Sequence, residues 1–293
     1  MRASSTPCWP GHDRPNLMID IALIQSRTPT TQDAALAHIT PLVREAAAGG
    51  AQLIVTPEGT NLLQRDRAAL TATVRPLEED VCVSGLRAQA AELAVWLLIG
   101  SAMVRRDDGK IANRSVLVSP GGEVVATYDK VHLFDVDLAG GERYRESTSF
   151  EPGDRAVVAQ AAGVRLGLSV CYDLRFAALY RALAHAGAQA LTIPAAFTQP
   201  TGAAHWEILI RARAIETGSF VLAAAQGGQH EDGRATWGHS LVVSPWGEIV
   251  AEADHDEPAV VRASLDLEAV TRARASIPAL SHDRAFAAPK VSA

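Results

Sequence analysis

The sequence predicts a single α/β domain of two similar halves, their sheets packed face to face with helices outside. Three observations carry this. Short apolar runs of strand length alternate with stretches whose apolar residues recur every three or four positions. Gly50-Ala51-Gln52 returns as Gly187-Ala188-Gln189 and Pro57 returns as Pro194, both at an offset of 137 residues. The run Ser115-Val116-Leu117-Val118-Ser119-Pro120-Gly121-Gly122 returns 125 residues later as Ser240-Leu241-Val242-Val243-Ser244-Pro245-Trp246-Gly247. A repeat this long is no solenoid unit, and two matched segments in the same order argue for one domain of paired halves. A chain of 293 residues, 48% hydrophobic, is large enough for a full core.

Each element follows from local pattern. Residues 1–17 are polar, hold three prolines and lack a signal-peptide core, so they read as a disordered extension or as upstream of a start at Met18. The domain spans 18–284, with a tail from 285 to 293. Its first strand is Ile19 to Ile24. A helix from Thr31 to Ala48 follows, capped by Thr30 or Thr31, ended by Gly49-Gly50, and kinked or restarted at Pro41. Ala51 to Thr56 is a strand, Leu77 to Leu93 a helix, and Val95 to Val104 a buried strand matched in the second half by Phe220 to Gln226. Ser115 to Ala126 is a hairpin. Asp129 to Asp154 has little periodicity, and loops this long are usually functional. Val164 to Val170 is a buried strand. Phe176, Leu179, Tyr180 and Leu183 mark a helix behind it. Leu265 to Arg274 is a strand end and short helix, capped by Asp266 and stopped by Ile277-Pro278.

Bulk properties exclude several function classes. The net charge of -6 gives no basic footprint for nucleic acid. No apolar run reaches the ~18 residues of a membrane span. Cys8, Cys82 and Cys171 form no disulfide framework, and no Cys/His spacing resembles a zinc site. A reducing cytoplasm fits this usage. No metal or organic cofactor is expected.

Cys171 stands where a strand feeds a helix, in Gly167-Leu168-Ser169-Val170-Cys171-Tyr172-Asp173-Leu174-Arg175-Phe176. Helix N–H groups there favour thiolate and suit a nucleophile; a buried inert cysteine is the competing reading. The repeat separates the two kinds of role. Glu58 follows Pro57, whereas Ala195 follows Pro194; Lys130 after the first hairpin is matched by His255. Polar differences between halves, in loops after strands, mark candidate chemistry. Glu58, with its pKa raised by burial, would serve as base. Lys130 and the N–H of Tyr172 would steady an oxyanion. A Cys/His pair using His132, His205 or His239 is the competing constellation.

Three motifs carry a family resemblance: Thr56-Pro57-Glu58-Gly59, Tyr128-Asp129-Lys130-Val131-His132-Leu133-Phe134-Asp135, and Ser169-Val170-Cys171-Tyr172-Asp173-Leu174-Arg175-Phe176. Over about residues 18 to 284 the chain resembles the nitrilase, or carbon–nitrogen hydrolase, superfamily. The resemblance implies an α/β fold, a four-layer α-β-β-α sandwich of two pseudo-equivalent halves, acting without a cofactor. It implies a Glu58-Lys130-Cys171 triad: Glu58 as general base, Lys130 on the oxyanion, Cys171 carrying the acyl group as a thioester. Glu146 matches the further glutamate of the family better than Glu142, in the role of orienting Lys130. Thr201 to Glu207, Arg211 to Glu216, His132 to Asp137 and Trp237 to Ser240 resemble the Nit-type amidase branch. That branch implies a small-molecule amide substrate, first deaminated glutathione (2-oxoglutaryl-Cys-Gly), alternatively 2-oxoglutaramate. Other amidase, nitrile or N-carbamoyl hydrolysis and a catalytically silent scaffold complete the alternatives. Arg175 is the candidate for the oxo-acid carboxylate, and Phe197, Thr201 and Tyr172 for the pocket wall. Glu207 and Arg211 read as an i,i+4 ion pair. A homodimer is implied, through the helices after Cys171 and Pro194. Ala177 and the stretch Leu138 to Arg143 depart from the branch pattern, which leaves substrate choice open.

Overall fold

The computed structural model describes residues 18–137, 141 and 143–291. The expected extension 1–17 with Cys8, and Glu142 with residues 138–140, lie outside the described residues. The first half runs β1 (Met18–Gln25), α1 (Gln32–Ala48), β2 (Leu53–Val55), α2 (Arg67–Thr73), α3 (Val81–Leu93), β3 (Trp96–Arg105), β4 (Ile111–Val118) and β5 (Val124–Asp129). Then β6 (Asp135–Asp137) and β7 (Arg143–Arg145) pair antiparallel, so the expected long loop carries a ribbon of its own. The second half runs β8 (Val157–Ala161), β9 (Val164–Leu168), α4 (Ala177–His185), β10 (Ala190–Thr192), α5 (Gln199–Thr217) and β11 (Phe220–Ala223). A small ribbon of β12 (Gly227–Gln229) and β13 (Ala235–Trp237) precedes β14 (Leu241–Val243), β15 (Ile249–Glu252), β16 (Ala259–Asp266) and α6 (Glu268–Ser276).

The two six-stranded sheets have the orders β16-β1-β2-β3-β4-β5 and, read from its other edge, β8-β9-β10-β11-β14-β15. They match position by position. In each, three central strands are parallel and the hairpin beyond them is antiparallel. The internal repeat is thus a repeat of sheet topology. The pleat sorts the side chains. Ile21 and Leu23 of β1 join the core that also holds Leu166, Leu168 and Leu191 of the other sheet. Ala22 and Ile24 point the other way, onto Ile39, Val43, Val83 and Leu86 of α1 and α3. Helix on sheet, sheet on sheet, and helix again give the α-β-β-α sandwich.

Four local expectations change. Helix α1 runs through Pro41 without a restart, because Pro41 and Ala37 lie on its exposed side, where water can satisfy the carbonyl a proline cannot reach. Thr31 precedes it in extended backbone but makes no side-chain cap bond. Helix α2 is additional; Asp66 Oδ1 accepts from the Ala69 N–H at 2.7 Å and starts it. The N-cap of α6 is Leu267, not the expected Asp266; Asp266, one residue earlier, accepts from the Glu268 N–H at 3.0 Å. No helix among the described residues is long and apolar enough to cross a membrane.

Gly100 on β3 sits where the sheets approach. A Cβ there would collide with the Thr56 carbonyl oxygen, and would lie 2.5 Å from Pro194 Cβ and 2.7 Å from the Pro57 carbonyl oxygen. That absence of a side chain lets the loops after β2 and β10 meet at one place.

Candidate active site

Those two loops, with the ends of β5 and β9, surround Cys171. After β9 the chain stays extended to Val170, then Cys171 turns into the left-handed region at φ 50°. For an L-residue this costs about 1–2 kcal/mol. The Cys171 N–H donates to the Pro194 carbonyl at 2.9 Å. A 3-10 turn, Cys171–Arg175, follows, and α4 begins only at Ala177. The expected seat at an α-helix start is therefore displaced by a full short turn.

Glu58 and Lys130 lie beside the thiol. Lys130 Nζ donates to Glu58 Oε1 at 3.2 Å and to Glu146 Oε1 and Oε2 at 3.0 and 2.8 Å. Asn113 Nδ2 donates to Glu58 Oε1 at 2.8 Å and reaches Glu146 Oε1 at 3.3 Å. The Ala196 N–H donates to Glu58 Oε2 at 2.8 Å, and the Cys171 thiol lines the same cavity as Glu58. The Phe134 N–H closes the network on Glu146 Oε2 at 2.6 Å. Lys130 is only 2% exposed, so two carboxylates around it are what makes a buried ammonium tolerable.

The electrostatics reverse two expectations. Burial pushes the Glu58 carboxyl up, but the Lys130 ammonium and the hydrogen bonds from Cys171, Asn113 and Lys130 outweigh it. The carboxyl ends below its usual range, not raised towards neutral. Burial and the Glu58 charge hold the Cys171 thiol well above its usual range, against the Lys130 charge. The resting pair is thus thiol and carboxylate, with no free-standing thiolate. Burial lowers Lys130, but Glu146 and Glu58 raise it further, well above normal.

A second network fixes the turn. Asp173, fully buried, accepts from Tyr128 Oη at 2.7 Å, the His132 N–H at 3.0 Å and the Val170 N–H at 2.8 Å. His132 Nδ1 lies 2.7 Å from it, and the His132 ring stacks on Phe176 at 3.5 Å. Asp173 so joins the segment bearing Lys130 to the turn bearing Cys171. Asn113, Tyr128, Asp173 and Ala196 escaped the sequence reading. Tyr128 and Asp173 stand inside the quoted motifs, and Asn113 lies in β4 just before the expected hairpin run from Ser115.

A cavity of about 370 Å³ opens at these groups. Glu58, Lys130, Glu146, Cys171, Tyr172, Arg175, Phe197 and Thr201 all line it, so these eight candidates share one space. Arg175 lies over the Tyr172 and Phe197 rings at 5.9 and 5.3 Å and sits 3.2 Å from His205 Nδ1. His132, His205 and His239 are not among the lining residues, so no Cys/His pair assembles there. Glu207 and Arg211 make their ion pair at 2.9 Å. Arg213 in the same helix is buried and holds the Leu174 carbonyl at 3.0 Å, supporting the nucleophile turn from below. Cys82 is fully buried, and burial pushes its thiol far up. Among the described residues no three His, Cys, Asp or Glu side chains group so as to hold a metal ion.

The chain is 38% identical over 268 residues to the deaminated glutathione amidase of Yersinia enterocolitica, covering 90% of this chain and 93% of that one. It is 44% identical to the human protein of that name, covering 83% and 75%. An omega-amidase of Xenopus tropicalis is 34% identical, covering 88% and 92%. Among solved structures, the Caenorhabditis elegans NitFhit protein superposes with TM-score 0.84 at 31% identity, covering 91% of this chain; the chain spans 65% of NitFhit. The carbon-nitrogen hydrolase model matches residues 20–275, which with these identities shows that the chain belongs to the carbon-nitrogen hydrolase family.

Proposed function

We propose that this protein is a thiol-dependent amidase acting through an acyl group on Cys171. The observation that carries the reading is that Cys171, Glu58 and the buried Lys130 line one cavity, with Lys130 Nζ donating to Glu58 Oε1 at 3.2 Å. Sγ attacks the amide carbonyl carbon while Glu58 takes the thiol proton. The carbonyl π electrons move to oxygen, where Lys130 Nζ and the Tyr172 N–H meet the oxyanion. Collapse breaks the C–N bond, and Glu58 returns the proton to the departing amine. Water then attacks the thioester, again losing its proton to Glu58. Collapse releases the carboxylic acid and restores the thiol. Glu146 and Asn113 hold Lys130 and Glu58 in place throughout.

The substrate we infer is deaminated glutathione, 2-oxoglutaryl-Cys-Gly, cleaved to 2-oxoglutarate and Cys-Gly. Relatives of that name at 38% and 44% identity support it, as does Arg175, a cavity guanidinium with no carboxylate partner among the described residues. The omega-amidase relative supports 2-oxoglutaramate as the second reading. The decisive experiment assays the protein and Cys171→Ala with both compounds for 2-oxoglutarate, Cys-Gly and ammonia. Faster release of Cys-Gly, absent in the variant, supports the first reading; preference for 2-oxoglutaramate supports the second; undiminished turnover by the variant refutes the nucleophile.

We also propose a homodimer in a reducing cytoplasm. Ile208 and Ile215 of α5, Trp246 and Ile277 are 70%, 57%, 56% and 59% exposed on the side of the helices after Pro194. Exposed apolar groups in such number suit an interface. A monomeric mass by light scattering at micromolar concentration would count against it.

A further inference from the structure

Six arginines line the cavity at Cys171: Arg65, Arg67, Arg143, Arg145, Arg175 and Arg234. The two carboxylates among the lining residues, Glu58 and Glu146, both engage Lys130. Three of the arginines are neutralised from behind. Arg143 and Arg145 share Asp137, at 3.3 and 2.8 Å, and Arg234 holds Asp232 at 2.8 Å. Arg175 rests on Tyr172, Phe197 and His205. Arg67 is the first residue of α2 and Arg65 stands just before its capping Asp66; both are exposed, and neither makes an ion pair among the described residues.

Two uncompensated cationic positions therefore face one cavity, Arg175 from the second half and Arg65 with Arg67 from the first. Asp66, between them in sequence, gives its Oδ1 to the Ala69 N–H, and a concave wall rich in one sign concentrates anions. An amide whose carbonyl carbon sits on Cys171 sends its acyl part and its amine part in different directions, so a single guanidinium cannot hold carboxylates at both ends. Resting on the amidase reading above, Arg175 takes the acyl-side carboxylate. We propose that Arg65 and Arg67 form the subsite for a carboxylate on the leaving amine, so that the substrate class is an amide bearing an anion at each end.

The test compares 2-oxoglutaryl-Cys-Gly with its C-terminal glycinamide, in the native protein and in the Arg65→Gln/Arg67→Gln variant. The native enzyme is expected to favour the acid about tenfold in kcat/KM, the scale of one charge-assisted contact. That ratio falls to about one in the double variant, and the preference in the native enzyme shrinks with added salt. Arg175→Gln is expected to lower both substrates by the same factor. A double variant that keeps the acid preference, or that loses both substrates equally, overturns the subsite while leaving the amidase standing. Native enzyme that turns over 2-oxoglutaramate but neither peptide amide overturns the peptide-amine reading and the subsite with it.

Discussion

Glu146→Gln removes one charge and almost no volume. Both Glu146 oxygens accept: Oε1 from Lys130 Nζ at 3.0 Å, Oε2 from Lys130 Nζ at 2.8 Å and from the Phe134 N–H at 2.6 Å. A glutamine amide must turn its NH2 towards one of those donors, whichever way it flips. Removing one partner of a buried ion pair costs about 3–5 kcal/mol. Glu58 remains on Lys130 at 3.2 Å, so the lower end, about 3 kcal/mol, applies. If Lys130 is held for an oxyanion, that loss falls on the transition state, a drop of roughly a hundredfold in kcat/KM. The assay is release of 2-oxoglutarate from either candidate substrate, alongside urea unfolding of the same protein. Activity within about threefold of the native enzyme would refute the positioning argument. A lower urea midpoint with unchanged kcat/KM would refute it equally, leaving Glu146 a stabilising residue only.

Three further outcomes are expected. The activity profile should be flat across neutral pH, since the Glu58 carboxyl lies below 4.5 and the Cys171 thiol above 9.0; a limb with its midpoint near neutrality would contradict the resting thiol and carboxylate. In stability terms, Glu58's contribution is present above 4.5 and lost as pH falls through its folded value, while that of Lys130 is present below 10.5 and lost as pH rises through its own. Gly100→Ala pushes a methyl against the Thr56 and Pro57 carbonyls and Pro194, neither backbone free to yield, and should cost about 3 kcal/mol in urea unfolding together with activity; a stability change inside experimental error would dismiss that contact. His230 is buried against Thr236, and burial followed by the Arg234 charge lowers it to about 4. The unfolded chain takes up that proton near 6.5, so native stability should drop by about 3 kcal/mol between pH 6.5 and 4 through this group. His230→Asn should remove that part of the slope, and parallel pH curves for the two proteins would argue against it.

How much of this was legible beforehand depends on how local each cause is. Strand and helix periods depend on neighbouring side chains, so the alternation and the repeat of two halves could be read directly. Helix α2 was hidden because seven residues carry too little period to stand out, and the signal lay in one capping carboxylate, Asp66. Glu58, Lys130, Glu146 and Cys171 were legible as motifs in order, each with its own flanking residues. Their partners were not. Asn113 meets Glu58 across 55 residues, and Tyr128 meets Asp173 across 45; no local pattern encodes such meetings. The ionisation states were misread for the same reason. Burial was inferred residue by residue, which raises a lone carboxylate, but the sign at Glu58 is decided by Lys130, 72 residues away, together with hydrogen bonds such as that from Asn113, 55 residues away. Chain pattern alone determined the main strands and helices, the repeat and the candidate groups. Only the tertiary structure decided which charges share a low-dielectric space, where Coulomb attraction and hydrogen bonds together override desolvation.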